Sequence, residues 1–108
     1  MSDVVVIGAG LAGLAAAVRL QEQGREVTLV TKGIGGLQLG QGTVDVLGYT
    51  PAPVAEPLAA VDAYRSEHPD HPYGHFPGTE VGAALAWLGS TVGEGLLVGD
   101  GQRNFRLP

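Results

Sequence analysis

Val4-Val5-Val6-Ile7-Gly8-Ala9-Gly10-Leu11-Ala12-Gly13-Leu14-Ala15-Ala16-Ala17 reads as a buried strand, a glycine turn and the opening of a helix. Val4 to Ile7 is a β-branched apolar run of the kind that fills a central parallel strand covered on both faces. Gly8, Gly10 and Gly13 follow at the G-x-G-x-x-G spacing. In that pattern Gly8 makes the tight turn, Gly10 lets the backbone approach a pyrophosphate, and Gly13 lets the helix pack on the strand. The helix start then offers free N–H groups and a positive dipole end to phosphate. The motif alone is weak; a strand before it and a helix after it are the context it requires. The ordinary alternative is a glycine-rich strand–helix connection with no ligand.

Outward from this stretch, Leu11, Leu14, Ala15 and Val18 recur at helical spacing, so a helix is expected from about Gly10 to Gln23. Gly24 suits the residue after its end. Glu26 to Thr31 alternates into a second strand, giving a right-handed β-α-β crossover. The fold class expected is α/β, a Rossmann-like nucleotide-binding fold with a parallel sheet. Such folds often place Asp or Glu at the end of the second strand to hold an adenosine ribose. Thr31 stands there, followed by Lys32. Thr31 is either a weaker ribose ligand or simply the end of a strand, and Lys32 is placed to meet a phosphate. A cofactor without adenosine, such as FMN, would not need the acid.

Gly33 to Gly42 is a second glycine-rich stretch. It reads either as a loop passing over a flavin cofactor, as in two-dinucleotide-binding-domain flavoproteins, or as a flexible surface loop. Thr43 to Tyr49 alternates and is expected to form a short strand, with Asp45 a structural carboxylate rather than a base. Pro51, Pro53 and Pro57 mark a connector. A helix then starts at Pro57 with Leu58, Val61, Tyr64 and Arg65 on one face and ends near His68. His68, His71 and His75 lie among prolines, which removes helical metal-ligand spacing. An aromatic-anchored loop is expected there and no metal site. Thr79 reads as the N-cap of a helix to about Val92, with Val81, Ala84, Leu85 and Leu88 apolar and Trp87 at its flank. Leu96 to Val98, Gly99-Asp100-Gly101 and Arg103 to Leu107 read as a β-hairpin.

The 108 residues carry six Lys and Arg against eleven Asp and Glu, with the basic residues scattered, so no nucleic-acid surface is expected. There is no cysteine, which excludes disulfides and thiolate-held metals or clusters within this chain. The apolar runs fall short of a membrane span, and no secretory leader pattern is visible. A cytoplasmic location is therefore expected. A dinucleotide-binding domain opening at residue 4 ordinarily needs more strands than 108 residues hold. Residues 1–108 are thus read as the N-terminal part of a larger, truncated domain.

Four blocks in order resemble the B subunit of the anaerobic glycerol-3-phosphate dehydrogenase family. They are Gly10-Leu11-Ala12-Gly13-Leu14 with Leu20-Gln21 and Gly24, then Val30-Thr31-Lys32-Gly33, then Gly42-Thr43-Val44-Asp45-Val46-Leu47, and last His71-Pro72-Tyr73 before the Val81 helix. The resemblance implies an FAD/NAD(P)-binding fold and an FMN or FAD cofactor. It implies oxidation of glycerol 3-phosphate to dihydroxyacetone phosphate, with electrons passed to membrane quinone during anaerobic respiration. The partners implied are the catalytic, FAD-holding A subunit and the iron–sulfur, membrane-anchoring C subunit, which would hold the complex at the inner face of the membrane. On this reading Gly8, Ala9, Gly10, Leu11, Ala12 and Gly13 hold phosphate, Thr31 and Lys32 form the rim, and Gly36, Leu37 and Gly42 line the flavin side. No catalytic residue is carried over. The competing readings are another FAD oxidoreductase, fumarate-reductase-like or phytoene-desaturase-like, and a non-catalytic nucleotide-binding module.

Overall fold

The computed structural model describes residues 2–104 and divides into two compact units, one ending at Thr43 and the other beginning at Val44. In the first unit, strand β1 (Val4–Ile7) leads into helix α1 (Leu11–Glu22) and returns to strand β2 (Val27–Val30). The strands are parallel, with Val4 opposite Val27 and Ile7 opposite Val30. The β-α-β expectation therefore holds to within a residue at each boundary. Gly10 is the N-cap of α1 and Gln23 its C-cap.

The burial of these elements differs from the pattern expected. Val4 and Val6 are half-buried, whereas Val5 is 58% and Ile7 84% exposed. Only one face of the two-stranded sheet is sheltered, because α1 packs on one side alone. Along α1 the sheltered residues are Gly13, Leu14, Ala15, Ala17 and Leu20, while Leu11 and Val18 face outward. The small residues Gly13 and Ala17 let the helix approach the sheet, so the contact face is turned from the one that apolar spacing picked out. A 3₁₀ turn, Gly36–Leu39, follows β2.

The second unit opens with an extended segment instead of the strand expected at Thr43 to Tyr49; only Tyr49 pairs, in an isolated bridge to Pro53. Side chains hold this segment in place of a sheet ladder. The Tyr73 hydroxyl donates to the Val46 carbonyl at 2.7 Å, and the Asn104 amide donates to the Gly48 carbonyl at 3.4 Å and, just beyond the segment, to the Val54 carbonyl at 2.7 Å. Asp45 lies exposed within it. Helix α2 (Pro57–Glu67) begins with proline, where a missing N–H costs nothing. It presents Leu58 and Val61 to a small core completed by Val54; Val61 is wholly buried. Tyr64 and Arg65 are half-buried on the same helix, and Arg65 donates to the Gly74 carbonyl at 3.1 Å.

Helix α3 (Gly78–Val92) starts earlier than expected, with Pro77 rather than Thr79 at its N-cap. Pro77 has no capping side chain; the Asp62 carboxylate of α2 accepts the Gly78 N–H at 2.9 Å instead. Val81, Gly82, Leu85, Leu88 and Gly89 form the sheltered face, and Ala84 is exposed. The hairpin expected after α3 does not form through its first strand. Leu96 closes a turn on Gly93, and the Gly101 carbonyl accepts the Leu58 N–H, docking residues 99–104 onto α2 rather than into a sheet. Of its second strand, expected from Arg103 to Leu107, Arg103 and Asn104 join no ladder, and the rest lies outside the described residues.

The histidine loop is anchored by aromatic rings. His68 stacks on Tyr64 at 4.2 Å, and His71 meets the same ring edge-on at 5.1 Å. His71 also accepts the Tyr73 N–H at its Nδ1, opening the 3₁₀ turn Pro72–His75. His75 points elsewhere, toward Phe76.

Candidate functional site

The site is built at the carboxyl edge of the first unit's sheet. The pairing of Ile7 with Val30 puts Gly8 beside Thr31. The Gly8 N–H donates to the Val30 carbonyl at 2.8 Å, tying the glycine loop to the end of β2. Gly8 itself has φ +107°, a backbone that side chains rarely tolerate, so the turn off the strand requires glycine.

Gly13 and Gly10 carry glycine for different reasons. A Cβ on Gly13 would collide with the Gly8 carbonyl and lie 3.5 Å from Val6 Cγ1, so this position permits the close passage of α1 over β1. Gly10 has an ordinary extended backbone, φ −76° and ψ −176°, and nothing lies within 4 Å of where its Cβ would be. Among the described residues, neither conformation nor packing demands glycine there. The open space over Gly10 fits a group from outside, as a pyrophosphate cradle would.

The start of α1 leaves backbone amides without helical partners. Leu14 N–H to the Gly10 carbonyl, at 3.0 Å, is the first bond of α1, so the Leu11, Ala12 and Gly13 amides precede it without helical partners. No side chain caps the end and no acidic residue sits in the first turn. These residues fit a bound dinucleotide phosphate.

Thr31 and Lys32 stand at the same edge, both exposed. The Thr31 hydroxyl is engaged locally: it donates to the Gly33 carbonyl at 2.5 Å and accepts the Gly33 N–H at 3.3 Å. It shapes the turn leading into the second glycine stretch. That stretch returns to the first, because Gly35 lies directly against the Ala9–Gly10 peptide. Gly36 and Leu37 follow in the 3₁₀ turn, and Gly42 turns the chain further on at φ +78°. The structure thus gathers Gly8 to Gly13, Thr31 and Gly35. Sequence reasoning does not single out Gly35, since nothing local distinguishes it from Gly33 or Gly36; its role appears only in the contact.

The sequence itself has counterparts among known proteins. The chain belongs to the FAD binding domain family, whose model matches residues 3–107. The family supports FAD as the cofactor, ahead of the FMN that the missing strand-end acid suggested. More particularly, the chain is 41% identical over 85 residues to the B subunit of anaerobic glycerol-3-phosphate dehydrogenase from Pectobacterium carotovorum, covering 77% of this chain and 20% of that protein. It is 35% identical over 92 residues to the protein of the same name from Aliivibrio fischeri, covering 83% and 20%. The Vibrio cholerae protein of that name is 36% identical over 92 residues, covering 83% and 21%. The chain therefore spans about a fifth of the length of these relatives. Their names mark them as one part of a larger enzyme. No solved structure matches the chain. Among the described residues, no helix is long and apolar enough to cross a membrane.

Proposed function

We propose that this chain forms the phosphate-holding part of an FAD site in a flavin subunit of a quinone-linked glycerol-3-phosphate dehydrogenase. The observation that carries the reading is Gly10, whose lack of a side chain answers to no contact among the described residues and opens onto amides without helical partners at the start of α1. The similarity to the named dehydrogenase subunits supports glycerol 3-phosphate as the substrate, oxidised in this reading to dihydroxyacetone phosphate. In this reading the Gly8–Gly13 backbone binds the pyrophosphate, Thr31 and Lys32 border it, and Gly36, Leu37 and Gly42 face the flavin. When bound, the flavin supplies two-electron uptake and onward transfer. The chain's own residues bind and orient it: oriented amides neutralise phosphate charge, and Lys32 adds a cation at the rim. The partners are the catalytic, FAD-holding A subunit and the iron–sulfur C subunit that anchors the complex to the inner face of the membrane, with this chain on the cytoplasmic side.

Denaturing the purified protein and identifying the released cofactor by chromatography and absorbance tests this reading. FAD is expected. FMN would keep the flavin site and remove the adenosine half from it. No flavin, and no uptake when FAD is added, would defeat it. Bleaching of the flavin by glycerol 3-phosphate in the assembled complex tests the substrate; bleaching by another donor alone would sink the dehydrogenase assignment.

A further inference from the structure

The second glycine stretch holds a residue whose identity has a purely steric cause. Gly35 is extended, φ −68° and ψ 176°, a backbone open to any residue. A Cβ on it would nevertheless overlap the Ala9 carbonyl and lie 2.5 Å from Gly10 N. Its neighbours Gly33 and Gly36 face open space. Within residues 31–40, Gly35 alone is sheltered from solvent. The turn that delivers it is built by Thr31, whose hydroxyl bonds both backbone groups of Gly33.

We propose that Gly35 is a positioning residue for cofactor binding, seating the 31–40 segment on the Ala9–Gly10 peptide and so fixing the amides of the phosphate loop. This rests on the reading that the loop holds the FAD pyrophosphate. The Gly8-Ala9-Gly10 turn is glycine-rich and intrinsically loose, and ordering it on ligand binding would cost conformational entropy. A segment already resting on the turn removes part of that cost, which is preorganisation. A side chain at position 35 lifts the segment off or rotates the Ala9–Gly10 peptide beneath it, and either change misaims donors whose value lies in their direction.

The test compares wild type, Gly35→Ala and Gly33→Ala for FAD affinity, flavin-free thermal midpoint, and the amide resonances of Ala9 and Gly10 without flavin. Gly35→Ala is expected to weaken FAD about tenfold or more, the worth of one charge-assisted hydrogen bond. It should also shift both resonances and lower the thermal midpoint, since the added Cβ meets backbone atoms as it would at Gly13. Gly33→Ala should do none of these. Wild-type affinity in Gly35→Ala, equal weakening by Gly33→Ala, or unmoved Ala9 and Gly10 resonances overturns the proposal. Absence of FAD binding by wild type defeats the flavin reading and with it the cofactor role, whereas the resonances still report whether Gly35 sets the loop. If Gly35→Ala does not fold, the wild-type protein decides: a nuclear Overhauser contact between the Gly35 Hα and the Gly10 amide is expected, and its absence overturns the seating.

Discussion

Gly10 and Gly13 lie three residues apart in one motif and respond to different demands, which single substitutions separate. Gly13→Ala puts a methyl into the Gly8 carbonyl. It is expected to destabilise the flavin-free protein by about 1–3 kcal/mol, as overpacking does, measured by urea denaturation. Gly10→Ala enters open space on an ordinary backbone. Its stability should stay within about 0.5 kcal/mol of wild type. Its FAD affinity should fall at least about tenfold by titration, because the methyl occupies the place of the phosphate. Loss of stability without loss of affinity in Gly10→Ala would mean that the glycine serves the fold after all.

Among the elements, α3 depends on a cap supplied by its neighbour. Asp62 on α2 accepts the Gly78 N–H, so Asp62→Ala is expected to cost about 1 kcal/mol, the usual worth of a cap. Amide exchange at the first turn of α3 should rise with it; exchange unchanged there would assign the loss elsewhere. Tyr73 plays a parallel part for the extended segment before α2 by donating to Val46. Burial raises the Tyr73 pKa above 10.0. The unfolded chain therefore ionises this phenol first, so its contribution is full below about pH 10 and is lost as pH rises through the folded value. Tyr73→Phe should remove that alkaline loss along with the hydrogen bond; a stability profile of the same slope above pH 10 in wild type and variant would exclude Tyr73 as its source.

Across the chain as a whole, the two units differ in what holds them together. The second has the buried Val54, Leu58 and Val61, while the first has a two-stranded sheet with Val5 and Ile7 exposed. Two strands are marginal without further cover. Ligand linkage should therefore be visible in one unit only. FAD at about a hundred times its Kd adds roughly 2.7 kcal/mol to whatever binds it. Hydrogen exchange is expected to slow in β1, α1 and β2 on adding FAD and to stay unchanged in α2 and α3. Uniform protection of both units would show that they respond as one, and protection confined to the second would place the flavin elsewhere.

The β-α-β order, the ends of β1, α1 and α2, and the glycine turn between β1 and α1 are all legible in the bare sequence. Each rests on local signals: β-branched runs, glycine spacing, proline breaks. Other features come from contacts between distant segments. Thr43 to Tyr49 is held by Tyr73 and Asn104 rather than by a sheet. The contact face of α1 is turned toward Gly13 and Ala17, and the cap of α3 comes from Asp62 instead of Thr79. Gly35 belongs with these. Its backbone is ordinary and its sequence neighbourhood is uniform in glycine, so its requirement exists only where the chain crosses itself. A local pattern specifies what a segment can become; which glycine is indispensable depends on the atoms brought against it from elsewhere in the chain.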